Sequence, residues 1–388
     1  MLGNHRDAWG YGAIDPSSGT AQLMEVVRSF GKMLKMGWRP RRTIVFASWA
    51  AEESGLEGSY EWVYEHLTKL MHRTVALINT DICVCGPIVK PRASPILRDV
   101  VIDSLKHSSD PTLGKERSYY EYWVEWTNQD NKESDKKKDP VIKHLGSGTD
   151  HAAFAFYAGI PAFDIDFDVD TKKHKGVGTY PMYHTGYETF YLMDKIIDPG
   201  YRIHRSCAQT TLYALLSLGD SAIIPYNLTY FPLEMKKTLS SFDENNTTKT
   251  LEDNGVTLQY LRSAINEFEV EARDYMEKLK TQSSSLQEDP FKLKMINDQM
   301  MQLERVFVMD GGLPERRETR HAIFAPSKFN KYSGNGFPAI SDLLYEFEKL
   351  EVGSPNHKKR VNLLKQHVSD LMIMTNAATR FLKPLDQI

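Results

Sequence analysis

Residues 43–58 read Thr43-Ile44-Val45-Phe46-Ala47-Ser48-Trp49-Ala50-Ala51-Glu52-Glu53-Ser54-Gly55-Leu56-Glu57-Gly58. The apolar run from Thr43 to Trp49 predicts a buried strand, and the small residues and glycines after it predict a turn at its carboxyl end. Open α/β sheets keep their sites at that end. Glu52 and Glu53 therefore reach the rim of a sheet together. Neighbouring side chains there point in different directions, so one can hold a metal while the other carries a proton. By itself such a pair is more often a solvated turn, because exposed carboxylates are common. Its surroundings decide.

Upstream, residues 1–19 form a glycine-rich stretch with His5, Asp7 and Asp15. The His-x-Asp spacing suits a carboxylate that orients an imidazole, although an ordinary polar loop fits equally well. Leu23, Val27, Phe30 and Leu34 recur at helical spacing between Thr20 and Met36. Downstream, Ser59 is expected to cap a helix carrying Trp62 and Val63, with His66 as a structural or surface histidine. Val75–Asp81 predicts a second buried strand that ends in a carboxylate, which either ligates or caps the next segment. Ser94-Pro95 should open a helix over Ile96–Lys106.

The mixed-charge tract from Asn128 to Asp139 reads as a mobile surface loop. Gly146-Ser147-Gly148-Thr149-Asp150 lacks the spacing of a nucleotide loop, and leads into a short helix over Ala152–Ala158 stopped by Gly159. Ile160–Phe167 predicts a further strand, and His184 lies in a loop between tyrosines. No HExxH helix is present, which excludes the common mononuclear zinc-protease pattern. A helix over Tyr201–Leu218 closes this unit. Beyond Pro225 long amphipathic stretches without convincing strand alternation predict a helical bundle, whose Met and aromatic stripes are core.

A chain of 388 residues exceeds the usual size of one core, so two domains are expected. Net charge −3 with 26% charged residues points to neither nucleic acid nor an anionic membrane as partner. No apolar run is long enough for a membrane span, and the N-terminus lacks the form of a signal peptide. Cys83, Cys85 and Cys207 suggest no disulfide framework and are expected as free thiols, buried or half-buried. Asn227, Asn245 and Asn246 head glycosylation sequons, which matter only if the protein is secreted.

His5, Asp15, Glu53, Asp81 and His184, with Glu52 spare, are the donors expected of two zinc ions sharing an aspartate. Order and context agree with Gly3-Asn4-His5-Arg6-Asp7-Ala8-Trp9, Trp38-Arg39-Pro40-Arg41-Arg42, Ala51-Glu52-Glu53, Ile78-Asn79-Thr80-Asp81, Gly146–Asp150, Tyr180-Pro181-Met182-Tyr183-His184 and Asn330-Lys331-Tyr332. On these motifs the chain resembles the di-zinc peptidases of the glutamate carboxypeptidase II and N-acetylated alpha-linked acidic dipeptidase family, whose fold the transferrin receptor shares. The resemblance implies a mixed-sheet α/β zinc exopeptidase domain over 1–221, incomplete at its N-terminus, followed by an all-α dimerisation domain over 222–388.

It further implies that His184 and Glu53 hold the catalytic zinc, that His5 and Asp81 hold the second, and that Asp15 bridges them. Glu52 would be the general base toward the metal-bridging water, and Tyr183 would hydrogen-bond the oxyanion. Gly148, Lys331 and Tyr332 would accept a terminal carboxylate. Relatives selective for acidic dipeptides carry arginines and an asparagine where this chain has Asp164, Asp166 and Thr149. With Asp150 these make the pocket carboxylate-rich, so acidic residues on the N-terminal side of the scissile bond should be disfavoured and basic or neutral ones preferred. A homodimer and an extracellular or secreted location are likewise implied. Full-length relatives carry a tail, a membrane helix, early strands and an apical domain ahead of the first ligand. The chain is thus expected to be a C-terminal portion, poorly soluble and weakly active alone. The alternative is a catalytically inactive receptor-like homologue or a truncated fragment with a binding role.

Overall fold

In the computed structural model, which describes residues 1–112, 114–130 and 138–383, a five-stranded sheet supports the site. Its strands are β1 (Leu2–His5), β2 (Phe46–Trp49), β3 (Leu77–Asn79), β5 (Arg92–Ala93) and β6 (Ala162–Asp164), in the order β2-β1-β3-β6-β5. The first four in space run parallel, with His5 opposite Trp49 and Asn79 opposite Asp164. That register gathers the carboxyl ends of β1, β2, β3 and β6 at one edge. Strand β5 joins antiparallel, placing Arg92 opposite Asp164. A small second sheet pairs β4 (Ile88–Val89) with β7 (Phe167–Asp168), so the apolar run Ile160–Phe167 is shared between two sheets rather than forming one strand.

The run Thr43–Trp49 forms an edge strand instead of a buried one. Only Phe46–Trp49 pairs, on one side, which leaves Val45 37% exposed. Helix α1 (Ser17–Lys35) buries Leu23, Val26 and Phe30, close to the expected stripe. Helix α2 (Glu57–Arg73) starts before Ser59: Leu56 takes the capping position at φ 64°, and the Ser59 hydroxyl donates to Leu56 O. Ser94 also does not cap. Its hydroxyl accepts from the Ala162 amide of β6, while the turn Pro95–Leu97 leads into α3 (Arg98–Lys106). Helix α4 (Tyr119–Thr127) begins with a capping box of Ser118 and Glu121. Residues 131–137 of the charged tract lie outside the described residues.

Helix α5 (Arg202–Asp220) closes the sheet region much as the periodicity predicts. The helical region follows with α6 (Tyr230–Glu244), α7 (Thr247–Asp253), α8 (Gln259–Glu288), α9 (Pro290–Leu303), α10 (Pro338–Leu344) and α11 (Pro355–Leu382). It also holds a hairpin, β8 (Phe324–Ser327) with β9 (Asn330–Gly336), which alternation does not reveal. The exposed face of β9 is Asn-Lys-Tyr-Ser, without apolar residues to mark a strand. One apolar cluster runs from Ile78 and Phe163 in the sheet through Phe231 and Phe268 to Leu371.

The cysteines differ from expectation. Cys83 and Cys207 form a disulfide that ties the loop after β3 to α5, whereas Cys85 is free and buried. The pair is 124 residues apart in sequence, so local spacing carries no sign of it.

Candidate metal centre and adjoining pocket

His5 ends β1, Glu52 and Glu53 follow β2, and Asp81 follows β3. Asp15 and His184 come from loops. Two groups result, His5 with Asp15 and Asp81, and Asp15 with Glu53 and His184, and within each group the donor atoms lie inside 4.8 Å of one another. His5 Nε2 stands 2.8 Å from Asp81 Oδ1 and 3.2 Å from Asp15 Oδ1. His184 Nε2 stands 3.2 Å from both Asp15 Oδ2 and Glu53 Oε2. Asp15 thus belongs to both groups, with one carboxylate oxygen toward each.

Surrounding residues hold these donors. His5 Nδ1 donates to Asp7 O at 2.9 Å, which turns the Nε2 lone pair toward the carboxylates. The Asp7 carboxylate stands 3.7 Å from His5 Nδ1, an ion-pair contact rather than a hydrogen bond. It also accepts from the amides of Glu52 and Glu53, at 3.2 and 3.1 Å, and pins the turn after β2. Glu188 accepts from the Asp15 amide and from the Tyr180 hydroxyl. Gly19 lets α1 press against the loop after β3, since a Cβ there would lie 2.2 Å from Asp81 O. Ala51 and His184 both adopt φ 56°, a left-handed conformation that costs a residue with a side chain about 1 kcal/mol or more. The strain falls next to Glu52 and at a donor.

Among the described residues no lysine or arginine forms an ion pair with Asp15, Glu52, Glu53 or Asp81. Burial and the neighbouring Asp81 push Glu52 up to about 9. Burial raises Asp15 and Glu53 as well, and Asp150, completely buried behind them, rises to about 7. Burial alone would lower His5, yet the Asp15 and Asp81 carboxylates lift it to about 12. Asp15 Oδ1 is buried, and its 3.2 Å approach to His5 Nε2 does not make a well-formed hydrogen bond. Two imidazoles, three carboxylates and an orphaned central oxygen fit a pair of divalent cations such as zinc. Glu52, 8% exposed, belongs to neither donor group.

Tyr183 stacks on His184 at 3.7 Å, and burial followed by the charge of Asp15 keeps its phenol protonated, hence a donor. The glycine run lies against the hairpin: Ser147 N donates to Lys331 O at 2.7 Å, and a Cβ on Gly146 would lie 2.5 Å from Tyr332 O. Gly148 faces the Tyr332 ring. A pocket of about 440 Å³ adjoins the donors, lined among others by Asp81, Gly148, Thr149, Asp164, Tyr183 and Tyr332. Lys331 does not line the pocket itself; its carbonyl holds the glycine run that does.

The carboxylate-rich pocket expected from sequence is corrected here. Arg92 Nη1 reaches Asp164 Oδ2 at 3.0 Å and Asp166 Oδ1 at 3.3 Å, while Asn79 Nδ2 donates to Asp164 Oδ1 and to Thr149 Oγ1, each at 3.0 Å. Asp150 is fully buried and does not line the pocket. Arg92 and Glu188 lie outside the quoted motifs, and Asp7 and Asn79 lie within them but show no sign of their partners, which for the four are 72, 173, 45 and 85 residues away. Only the adjacency of Glu188 to the His184 loop gives a local sign.

Residues 1–198 match the model of Peptidase family M28, and residues 256–383 match the Transferrin receptor-like dimerisation domain. "Aminopeptidase NAALADL1" of Mus musculus is 38% identical over 356 residues, covering 91% of this chain and 47% of its own length. "Probable glutamate carboxypeptidase LAMP1" of Arabidopsis thaliana is 34% identical over 351 residues, covering 90% and 47%. The chain thus spans about half the length of the curated relatives it matches. Among solved structures, BSAP, a zinc aminopeptidase from Bacillus subtilis, aligns at 20% identity and TM-score 0.37, covering 57% of this chain and 46% of that one. With a family match that runs over half of its residues and includes all five donors, the chain belongs to Peptidase family M28.

Proposed function

We propose that this chain carries the di-zinc centre of an exopeptidase acting on short peptides. The observation that carries the reading is Asp15, shared between two overlapping donor groups with one oxygen toward each. His5 and Asp81 would hold one ion and Glu53 and His184 the other, with Asp15 offering an oxygen to each. The ions supply Lewis acidity toward the scissile carbonyl and lower the pKa of the attacking water. Glu52, beside the donors yet outside both groups, accepts the proton of that water and returns it to the leaving nitrogen. Tyr183 donates a hydrogen bond to the oxygen on which negative charge develops.

The terminal carboxylate of the substrate lies along Gly148, Lys331 and Tyr332, while Thr149, Asp164 and Asp166 face the residue on the N-terminal side of the bond. The catalytic unit ends near residue 221 and the remainder is a helical unit that pairs in a homodimer, a reading supported by the dimerisation-domain match. Tyr260, Val270 and Ile373 offer exposed apolar side chains there. Among the described residues no helix is long and apolar enough to cross a membrane. The Cys83–Cys207 disulfide supports an oxidising, extracellular setting.

Elemental analysis combined with amine release from a dipeptide panel tests the proposal. Two zinc ions per chain and turnover are expected. A protein without zinc or turnover would leave only a receptor-like binding role.

A further inference from the structure

We propose that Arg92 sets the specificity of the pocket beside the metal centre, by bridging Asp164 and Asp166 from within so that, together with Lys90 and Lys143, the pocket's charges balance and it accepts an uncharged substrate side chain. The inference rests on the peptidase reading for the identity of the ligand, a peptide, but its charge argument stands on the pocket alone.

Apart from Asp81, which belongs to the donor cluster, the charged residues lining the pocket are Lys90, Arg92, Lys143, Asp164, Asp166 and Asp168. Cations and anions are equal in number. Two of the cations take up all three anions: Arg92 is shared by Asp164 and Asp166 at 3.0 and 3.3 Å, and Lys90 pairs with Asp168. Lys143, exposed, joins Arg92 through a backbone bridge. His151 adds no charge, because burial lowers its pKa while Nε2 donates to Gly146 O.

A fork that bridges two carboxylates is already satisfied. An acidic substrate side chain has to take Arg92 from one of them and leaves that aspartate unpaired in a half-buried wall. A basic side chain finds both aspartates engaged and meets Arg92, Lys90 and Lys143 as like charges. Either sign is rejected by the same guanidinium, whereas a neutral side chain disturbs no pair. The position has this effect because β5 runs antiparallel beside β6 and sets Arg92 directly opposite Asp164. The side chain of Arg92 is 30% exposed, so it faces the pocket rather than the core.

The test measures binding by calorimetry on the metal-loaded protein, using dipeptide isosteres with an uncleavable reduced amide and Ser, Leu, Asp or Arg at the first position. In the native protein the Ser and Leu ligands should bind at least about tenfold tighter than Asp and Arg, a difference of about 1.4 kcal/mol. Arg92→Met uncovers both aspartates and should make the Arg ligand the tightest. Asp164→Asn with Asp166→Asn releases the guanidinium and should make the Asp ligand the tightest. Arg92→Lys, with a single ammonium in place of a fork, should shift the ranking toward Arg by a smaller factor. Melting temperatures report whether each variant folds, and if Arg92→Met does not, Asp166→Asn alone, at a position 17% exposed, decides.

A native ranking led by Arg or Asp overturns the proposal, as does a ranking that the variants leave unchanged. The cleavable peptides run in parallel separate the two readings. Binding in the expected order without hydrolysis refutes the peptidase and keeps the pocket, and hydrolysis without discrimination does the reverse.

Discussion

Two clusters of carboxylates lie side by side at one edge of this sheet, and they treat charge in opposite ways. At the candidate metal centre Asp15, Glu53 and Asp81 crowd around two imidazoles with Glu52 nearby, and among the described residues no lysine or arginine pairs with them. In the pocket, Asp164 and Asp166 share Arg92, and Asp168 pairs with Lys90. Like charges a few ångströms apart in a buried site cost several kcal/mol unless something neutralises them. The first cluster therefore looks outward for its positive charge and the second inward. A count of acidic residues does not separate the two, although one suits dications and the other a neutral side chain.

The largest expected effect strikes the shared donor. Asp15→Ala should lose zinc from both positions and essentially all turnover, measured by elemental analysis and kcat, whereas Asp164→Asn should keep its zinc. Zinc retained by the alanine variant would break the contrast at its centre. Next comes Glu52→Gln, which should retain zinc and lose about 10²- to 10⁴-fold in kcat, the usual contribution of a positioned proton carrier. Loss of zinc in that variant would make Glu52 a ligand instead.

Chelation should produce a smaller but clear change. Ions held at a hundred- to thousand-fold excess over Kd stabilise by about 3–4 kcal/mol, so removing them should lower Tm in the native protein and in the pocket variants alike. Asp15→Ala should show no such drop. An unchanged Tm in the native protein would mean that the crowded carboxylates are not relieved by metal.

The smallest effect serves as the control for pH. His367 in α11 is buried with neither ring nitrogen paired, and burial lowers its pKa to about 4. Below the ordinary value near 6.5 the unfolded chain binds the proton and the folded one does not, so stability falls as pH drops from about 6.5 to about 4. The loss is on the order of 2–3 kcal/mol. His367→Gln should flatten that part of a denaturation-against-pH curve and leave zinc content untouched. If the slope survives, the acid sensitivity belongs to the carboxylate clusters.

The sequence by itself determined the family and pointed to the candidate donors. His5, Asp15, Glu52, Glu53, Asp81 and His184 lie at strand ends and in loops that apolar runs and glycines mark locally, and strand ends in an open α/β sheet converge whatever the details. The helical stripes of α1, α5 and the C-terminal region were legible for the same reason, since periodicity is a property of neighbours in the chain.

Tertiary structure alone decided three things: the Cys83–Cys207 pairing, the β8–β9 hairpin that carries Lys331 and Tyr332 to the glycine run, and the sign of the pocket. Each depends on partners far apart in sequence. Arg92 meets Asp164 and Asp166 only because sheet order sets β5 against β6, across 72 and 74 residues of intervening chain. Two aspartates flanking one isoleucine read as exposed negative charge in one dimension. In three dimensions an arginine from the neighbouring strand has already claimed them, and burial makes that pairing the lower-energy arrangement.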